Sequence, residues 1–431
     1  MLCSSSAWVL ILAMQAVAPQ PPPAPAPAPQ LSLSDASQRA LQQASAYQQA
    51  LADEQAAALD VTQARAALLP KIRNLSTVTF NKPLTAHSTD PSFIAQNAAR
   101  EYQSLVGAEG SLDFGLRAAV RRSRELLAAA HAGTEVARRE LLRGVRESYF
   151  GLALATAKRR AAEESLAAAE EFERVTRLQQ EYGEVPEVDL IRARLQTAQR
   201  RDDVEQARVQ EAIAGAALGA LAGYPSTDTL TVTSLTAEPS LTDIQRLVPT
   251  SILQRPQLVQ AAAEQRAARE DIAVARAERL PSLTYSADEG FDSPSLRPDE
   301  IRQHSGYLLT ASLRVPIFDW GLARAKQRQA EIRAESATRR FDLARREVEQ
   351  QDLRTREEAS SAVRRAANAR SAVSDAQRNV EISIARYRAG EAPILEVTDA
   401  LTTLAQQRLN LQQALFDFEV ARAQLQEASA Q

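Results

Sequence analysis

The sequence predicts a mainly α-helical protein that also contributes a small membrane β-sheet. Two observations support this fold class. Very long segments rich in alanine and arginine carry apolar residues at heptad spacing, and only 14 of the 431 residues are glycine, which favours helix over most of the chain. Between these segments lie strands of about ten residues with one apolar face, which have the length and period of a transmembrane β-strand.

Composition and charge argue against several classes of function. The 51 Lys and Arg residues nearly balance the 54 Asp and Glu residues, and the net charge of -3 argues against a basic nucleic-acid-binding surface. The single cysteine is Cys3, so no internal disulfide can form. The three histidines lack the spacing of metal ligands, and no catalytic constellation is recognisable. We therefore expect no cofactor, no metal and no enzymatic activity.

The N-terminal region predicts export. Residues 1–18 contain an apolar run that ends in Ala-Val-Ala, as in a secretory signal peptide, although no Lys or Arg precedes the run and Pro19 follows the expected cleavage point. Residues 19–30 are almost all Pro, Ala and Gln, which predicts an extended linker. No later stretch contains the ~20 continuous apolar residues that a transmembrane helix requires, so a membrane crossing would have to use strands.

The first half of the chain, residues 31–249, predicts a helix followed by two strands. The helix ends before Pro70, because a residue that precedes proline is disfavoured in the α region. Alternation of apolar and polar residues predicts strands over residues 71–81 and 111–119. The second of these depends on the apolar residues Leu112, Phe114 and Leu116.

The rest of the first half predicts a helical hairpin. No proline occurs from residue 121 to residue 181, so we expect one helix of about 60 residues and about 90 Å. Gly183 and Pro186 then interrupt the pattern, with glycine past one helix end and proline near the next helix start. This predicts a tip near residues 183–186, a returning helix, and a linker over residues 223–249.

The second half, residues 250–431, predicts the same order of elements. The Leu-Pro junction and the glycine-containing tip both recur at an offset of about 210 residues, and such self-similarity predicts two structural repeats. We expect strands over residues 282–291 and 307–315 and a second tip near residues 390–393. Large aromatic residues with a polar group suit a membrane–water interface, and the candidates are Tyr285, Tyr307 and Trp320.

This order of elements resembles the TolC family of outer-membrane efflux proteins. The resemblance covers about residues 31–426 and depends on the junctions Leu69-Pro70 and Leu280-Pro281, the strand exit Val315–Gly321 (VPIFDWG) and the two tips. It implies a homotrimer in which each chain gives four strands to a shared twelve-stranded barrel that continues into a periplasmic α-helical coiled-coil barrel. Independently, four strands cannot close and an open edge is excluded from lipid, which also favours several copies.

The resemblance also implies a function. The protein would be the outer-membrane channel of a tripartite efflux or type I secretion system in a Gram-negative bacterium, with a large periplasmic part. It would conduct substrate passively from an inner-membrane transporter and a periplasmic adaptor. The family pattern places adaptor contact on Gly183, Glu184, Val185, Gly390, Glu391 and Ala392. Glu381 is the candidate for the periplasmic gate, because family members often close this end with an acidic ring.

Two other functions remain open from the sequence. A periplasmic coiled-coil scaffold or adaptor that forms no pore would explain the helices, tips and apolar seams equally well. It would not explain why alternating strands occur in pairs at the same place in both halves. An enzyme is least favoured, because the many carboxylates lie beside arginines on amphipathic helices.

Overall fold

The structure is a computed structural model that describes residues 30–80, 100–225, 230–233, 239–246 and 251–428. In these residues the helices are α1 (Leu33–Gln43), α2 (Ser45–Ala66), α3 (Phe114–Glu181), α4 (Glu187–Ala222), α5 (Leu241–Arg246), α6 (Pro256–Ala277), α7 (Pro298–Gln303), α8 (Leu322–Arg388) and α9 (Ile394–Ala428). The strands are β1 (Gln30–Leu31), β2 (Lys71–Phe80), β3 (Arg100–Leu112), β4 (Thr231–Val232), β5 (Ser282–Ser293) and β6 (Ser305–Arg314). The described chain is mainly α-helical, as predicted.

Two helices dominate the molecule. Helix α3 has 68 residues and α8 has 67, so each is about 100 Å long at 1.5 Å per residue. An aspartate side chain accepts a backbone hydrogen bond at the start of each helix: Asp113 is the N-cap of α3, and Asp319 lies two residues before Gly321, the N-cap of α8. The Asp113 carboxylate accepts a hydrogen bond from the Gly115 amide at 2.7 Å, and the Asp319 carboxylate accepts one from the Ala323 amide at 2.7 Å. No helix in the described residues is both long enough and apolar enough to cross a membrane.

The helices pack along seams of small side chains. Helix α3 contacts α2, α4, α6 and α9, and α8 contacts α6 and α9. Many of the buried residues on these helices are alanines, such as Ala153, Ala362 and Ala366, which lets the long helices approach closely. Larger apolar side chains gather in separate clusters, one of which contains Phe172 and Tyr387 near the two helical tips.

A four-stranded antiparallel sheet lies where the long helices begin. Its strand order is β2-β3-β5-β6, so each half of the chain supplies two neighbouring strands. The register places Arg73 opposite Gly107, and Gly107 opposite Asp288. Within the described residues β2 pairs only with β3 and β6 only with β5, which leaves one edge of each outer strand unpaired. Separately, β1 and β4 form a short parallel pair beside α3.

The predicted strand over residues 111–119 is wrong. The strand runs instead over Arg100–Leu112, and the chain is helical from Phe114. Leu112, Phe114 and Leu116 imitate the alternation of a strand, but the Asp113 side chain binds the Gly115 amide and starts α3 there. The sequence obscures β3 because its glycines at 107 and 110 weaken the alternation of apolar residues. Strands β2, β5 and β6 overlap the other three predicted strands.

Gly107 offers a test of the sheet packing. A Cβ atom at this position would lie 2.1 Å from Asp288 Oδ1 and 2.6 Å from the Ala287 carbonyl oxygen. We expect Gly107→Ala to destabilise the protein by about 1–3 kcal/mol, because side chain and backbone must both shift. Thermal unfolding in detergent, followed by circular dichroism, measures this loss.

Gly306→Ala is the matched control for this substitution. Gly306 lies in the same sheet, on β6, and a Cβ atom there would meet no other atom within 4 Å. The packing argument is contradicted if the two variants lose the same amount of stability.

Candidate functional site

The sheet has two chemically different faces. Residues directly opposite each other in antiparallel strands point to the same side, so the register assigns each strand residue to one face. The side that we name the charged face carries Lys71, Arg73, Glu101, Gln103, Glu109, Asp288, Asp292 and Arg314. The side that we name the apolar face carries Ile72, Val78, Phe80, Tyr102, Val106, Leu283, Tyr285, Phe291, Tyr307, Leu309 and Leu313.

The apolar face is largely uncovered in the single chain. Ile72 is 84% exposed, Tyr307 is 81% exposed and Leu309 is 71% exposed. The face is mostly apolar, although Asn74, Arg100 and Glu289 also lie on it. An exposed surface of this kind marks a region that interacts with another apolar surface or with a membrane. Aromatic residues on this face lie within three residues of the strand ends that are farther from the long helices, namely Phe80, Tyr102, Phe291 and Tyr307.

The charged face is held together by ionic contacts between strands. Arg73 binds Glu109 at 2.9 Å and Asp288 at 3.3 Å. Asp288 is only 5% exposed, and it fits there because Gly107, its opposite neighbour, has no side chain. Farther along the strands, the Gln103 amide donates a hydrogen bond to Asp292 at 3.1 Å. A face with this many ionic groups requires water or compensating charges beside it.

The three predicted interface aromatics all lie at the apolar side of the sheet or just beyond it. Tyr285 covers Gly110 of the neighbouring strand, where a Cβ atom would lie 2.5 Å from the Tyr285 hydroxyl oxygen. Tyr307 projects from edge strand β6. Trp320 follows β6 and is 90% exposed. Contact of these side chains with a membrane interface remains a prediction.

The strand exit from Pro316 to Gly321 is a tight turn with an unusual backbone. Trp320 has φ 56° and Gly321 has φ 86°, so both lie in the left-handed region. That conformation costs a residue with a side chain about 1–2 kcal/mol. The Phe318 ring packs edge-on against Trp320 with centroids 4.8 Å apart. Hydrogen bonds from the Ala323 and Gly321 amides lower the pKa of Asp319 from its ordinary value, so the aspartate caps α8 as a carboxylate.

The two helical tips have the same backbone geometry. Gly183 and Gly390 have φ 75° and 74°, and the amides of Glu184 and Glu391 donate back to carbonyl oxygens five residues earlier, each at 2.9 Å. Both glutamates are exposed. Ala392 is only 8% exposed, so its side chain packs inside the tip and is not free for a partner. Adaptor contact by the exposed tip residues remains a prediction.

A contact between the tips escaped the sequence analysis. The Tyr387 ring packs against Phe172 with centroids 5.7 Å apart, and its hydroxyl lies 3.5 Å from Asp189 Oδ2. Burial, followed by the Asp189 carboxylate, raises the pKa of Tyr387. This links the end of α8 to the start of α4. The predicted gate residue Glu381 lies on α8 about two helical turns before Tyr387, and it is exposed.

Solved structures with the same fold are outer-membrane channels. The outer membrane protein VceC of Vibrio cholerae superposes with a TM-score of 0.80 over 92% of this chain and 95% of that chain, at 19% identity. CusC, whose structures concern transmembrane channel formation, superposes with a TM-score of 0.77 over 96% of this chain and 99% of that chain, at 21% identity. These similarities define the fold of the chain as that of an outer-membrane channel.

Sequence comparison gives the family. Residues 36–224 and 247–431 match the family model described as outer membrane efflux protein, so the chain belongs to the outer membrane efflux protein family. It is 26% identical to the pyoverdine export outer membrane protein OpmQ of Pseudomonas aeruginosa over 378 residues, which are 85% of this chain and 78% of OpmQ. It is 25% identical to the outer membrane protein TolC of Escherichia coli over 181 residues, 40% of this chain and 37% of TolC.

Family membership settles the location and the class of function. The protein belongs in the outer membrane with a periplasmic extension, and its relatives are transport proteins. This location disfavours the alternative of a periplasmic scaffold. That alternative also left the paired strands unexplained.

Asp319 tests the strand exit. We expect Asp319→Ala to speed hydrogen exchange of the amides at the start of α8, because Gly321 and Ala323 lose their acceptor. The lowered pKa means that the cap is present above the ordinary aspartate pKa and is lost as the pH falls through the lowered one. Hydrogen-exchange mass spectrometry measures the effect. Asp342→Ala on the exposed surface of the same helix is the control, and equal acceleration at the helix start would rule out the cap.

Proposed function

We propose that the protein is the outer-membrane channel of a tripartite efflux or type I secretion system and that it works as a homotrimer. The observation that carries this proposal is the sheet with one charged face, one apolar face and two unpaired edges. Three copies that pair β6 of one chain with β2 of the next would satisfy every edge. The apolar face would then contact lipid and the charged face would line a water-filled lumen.

The dimensions of the strands support this arrangement. The strands have 10 to 13 residues, and at a tilt of roughly 40° such strands span the ~25 Å apolar band of an outer-membrane barrel. A barrel of about eight strands is filled by its own side chains, whereas larger barrels enclose water. Twelve strands lie between the small filled barrels and the wide porins, and their ionic inner face favours a hydrated lumen.

The strained conformation of Trp320 supports a membrane role for the exit turn. A left-handed backbone costs free energy, and the Trp320 ring is 90% exposed although it packs against Phe318. Indole rings are favoured at the lipid headgroup level, which offsets such a cost. We therefore assign Trp320, Tyr285 and Tyr307 to the two membrane interfaces.

The helical part would carry substrate through the periplasm. The sequence contains no Gly-x-x-x-x-Gly-Lys phosphate loop, so energy would come from the inner-membrane transporter. A periplasmic adaptor would bind the exposed residues Gly183, Glu184, Gly390 and Glu391, with half-buried Val185 beside them. The Tyr387–Asp189 contact would help to hold the tips in a closed arrangement, and Glu381 would contribute to the periplasmic gate.

Conductance and mass test the channel together. The detergent-extracted protein is expected to be a trimer by light scattering and to give a small, flickering conductance in planar bilayers. Tyr387→Phe should raise the conductance, because it removes the hydroxyl near Asp189 while keeping the ring against Phe172. The hydroxyl contact contributes about 1 kcal/mol, so a several-fold rise in open probability is expected.

Tyr182→Phe is the matched control for the tip. Tyr182 is 82% exposed at the first tip, and its substitution should leave the conductance unchanged. Equal effects of the two variants would remove Tyr387 from the gate. A soluble protein that never inserts into a bilayer would contradict the channel itself.

Glu381 requires a separate test. If its carboxylate forms part of a threefold acidic ring, Glu381→Gln should weaken block of the current by a trivalent cation added at the periplasmic side. Glu357→Gln, an exposed carboxylate on the same helix, is the control. Unchanged block in Glu381→Gln would exclude Glu381 from the gate.

A further inference from the structure

The charged face arranges its ionic groups in order along the strands. The register is continuous across all four strands, so each residue can be placed in a row of opposite neighbours. We name the side where the strands meet the long helices the helix end, and the side at Phe80 and Arg100 the far end. The charged side chains of this face are cationic at the helix end and acidic at the far end.

Two cations lie nearest the helix end. Arg314 is opposite Ser282 in the first row of β5 and β6, and Lys71 is the first residue of β2. Both side chains are exposed, and neither forms an ion pair within the described residues. Lys71 is opposite Glu109, but the carboxylate of Glu109 binds Arg73 instead. We name Lys71 and Arg314 the cationic band.

The middle of the face is partly compensated. Arg73 lies between Glu109, at 2.9 Å, and Asp288, at 3.3 Å. One guanidinium therefore offsets part of the charge of two acidic side chains.

Two carboxylates lie at the far end. Asp292 is opposite Gln103, and Glu101 is opposite Thr79 in the next row of this face. No cation on this face lies beyond Arg73 in the described strands. Arg100 points to the other side, where its guanidinium lies over the Phe80 ring at 5.7 Å. We name Glu101 and Asp292 the acidic band.

The two bands are far enough apart to act separately. Lys71 and Glu101 are eight rows apart, because Glu101 is opposite Thr79. At about 3.4 Å per residue this is roughly 27 Å along the strand, which exceeds the Debye length of about 8 Å at physiological ionic strength. An ion that passes one band therefore feels little of the other.

We propose that these two bands make the lumen of the barrel electrically asymmetric and that they set its ion preference. This inference rests on the proposed function, since it needs the charged face to line the lumen. In a trimer each band would occur three times, as a positively charged zone next to the helical tunnel and a negatively charged zone at the outer mouth. Anionic groups of a departing substrate would be attracted into the barrel, and anions outside would be repelled from it.

This asymmetry does not create transport by itself. A passive channel carries no net flux at equilibrium, whatever its charge pattern. The difference appears only under a gradient, because fixed charges select ions most strongly where the adjoining solution is dilute and screening is weak.

Reversal potentials in a KCl gradient test the proposal. Protein inserted from one side of a bilayer is measured with the dilute solution first at the outer mouth and then at the helix side. The wild type should prefer cations more strongly with the dilute solution at the outer mouth. In E101Q/D292N the cation-to-anion permeability ratio in that orientation should fall by about twofold, since the unscreened carboxylates are gone.

Two further variants make the test specific. K71Q/R314Q should raise the same ratio when the dilute solution is at the helix side. Glu289→Gln is the matched control, because Glu289 is an exposed carboxylate of β5 on the apolar face and should change neither measurement. None of these substitutions touches the tips, so the contribution of the gate is constant.

The possible outcomes distinguish failure of the proposed channel function from failure of the proposed charge asymmetry. Failure of the wild type to form any channel would overturn the proposed function and this inference with it. A working channel whose permeability ratio is the same in both orientations would overturn only the inference. The same holds if Glu289→Gln acts like E101Q/D292N.

Discussion

The unpaired edges of the four-stranded sheet constrain everything else in the molecule. Strands β2 and β6 each leave one row of backbone N–H and C=O groups without a strand partner in the described residues. Water would satisfy these groups but would also face the exposed apolar side. Lipid would cover that side but leaves each unpaired backbone group at a cost of several kcal/mol. The closure with further copies that we propose would remove both penalties.

The helices are connected directly to this sheet, because each strand pair lies between two helices of its half of the chain. Each strand pair is joined to helices by short junctions, with Pro70 and Pro281 before the strands and the aspartates Asp113 and Asp319 after them. In the proposed channel these junctions would connect the barrel to the helical tunnel.

The sequence revealed those features that depend on local pattern. Alternation located β2, β5 and β6, and the glycine and proline residues located both tips. Alternation misplaced β3, because Leu112, Phe114 and Leu116 alternate like strand residues whereas the Asp113 cap starts a helix among them. Contacts between segments that are distant in the sequence could not be predicted from local patterns. Arg73 and Asp288 are 215 residues apart, and Asp189 and Tyr387 are 198 apart, so only the folded register brings them together.

The proposed gate at the tips combines an apolar interior with a weak polar contact at its edge. The interior of the contact is apolar, with Phe172, Tyr387 and Ile394 buried together. The polar link to Asp189 is a single long contact of 3.5 Å. Breaking one such contact costs on the order of 1 kcal/mol, whereas separating the apolar cluster would cost several. In the proposed gate, a partner that competes for Asp189 would therefore break the polar contact at lower cost than separation of the apolar cluster.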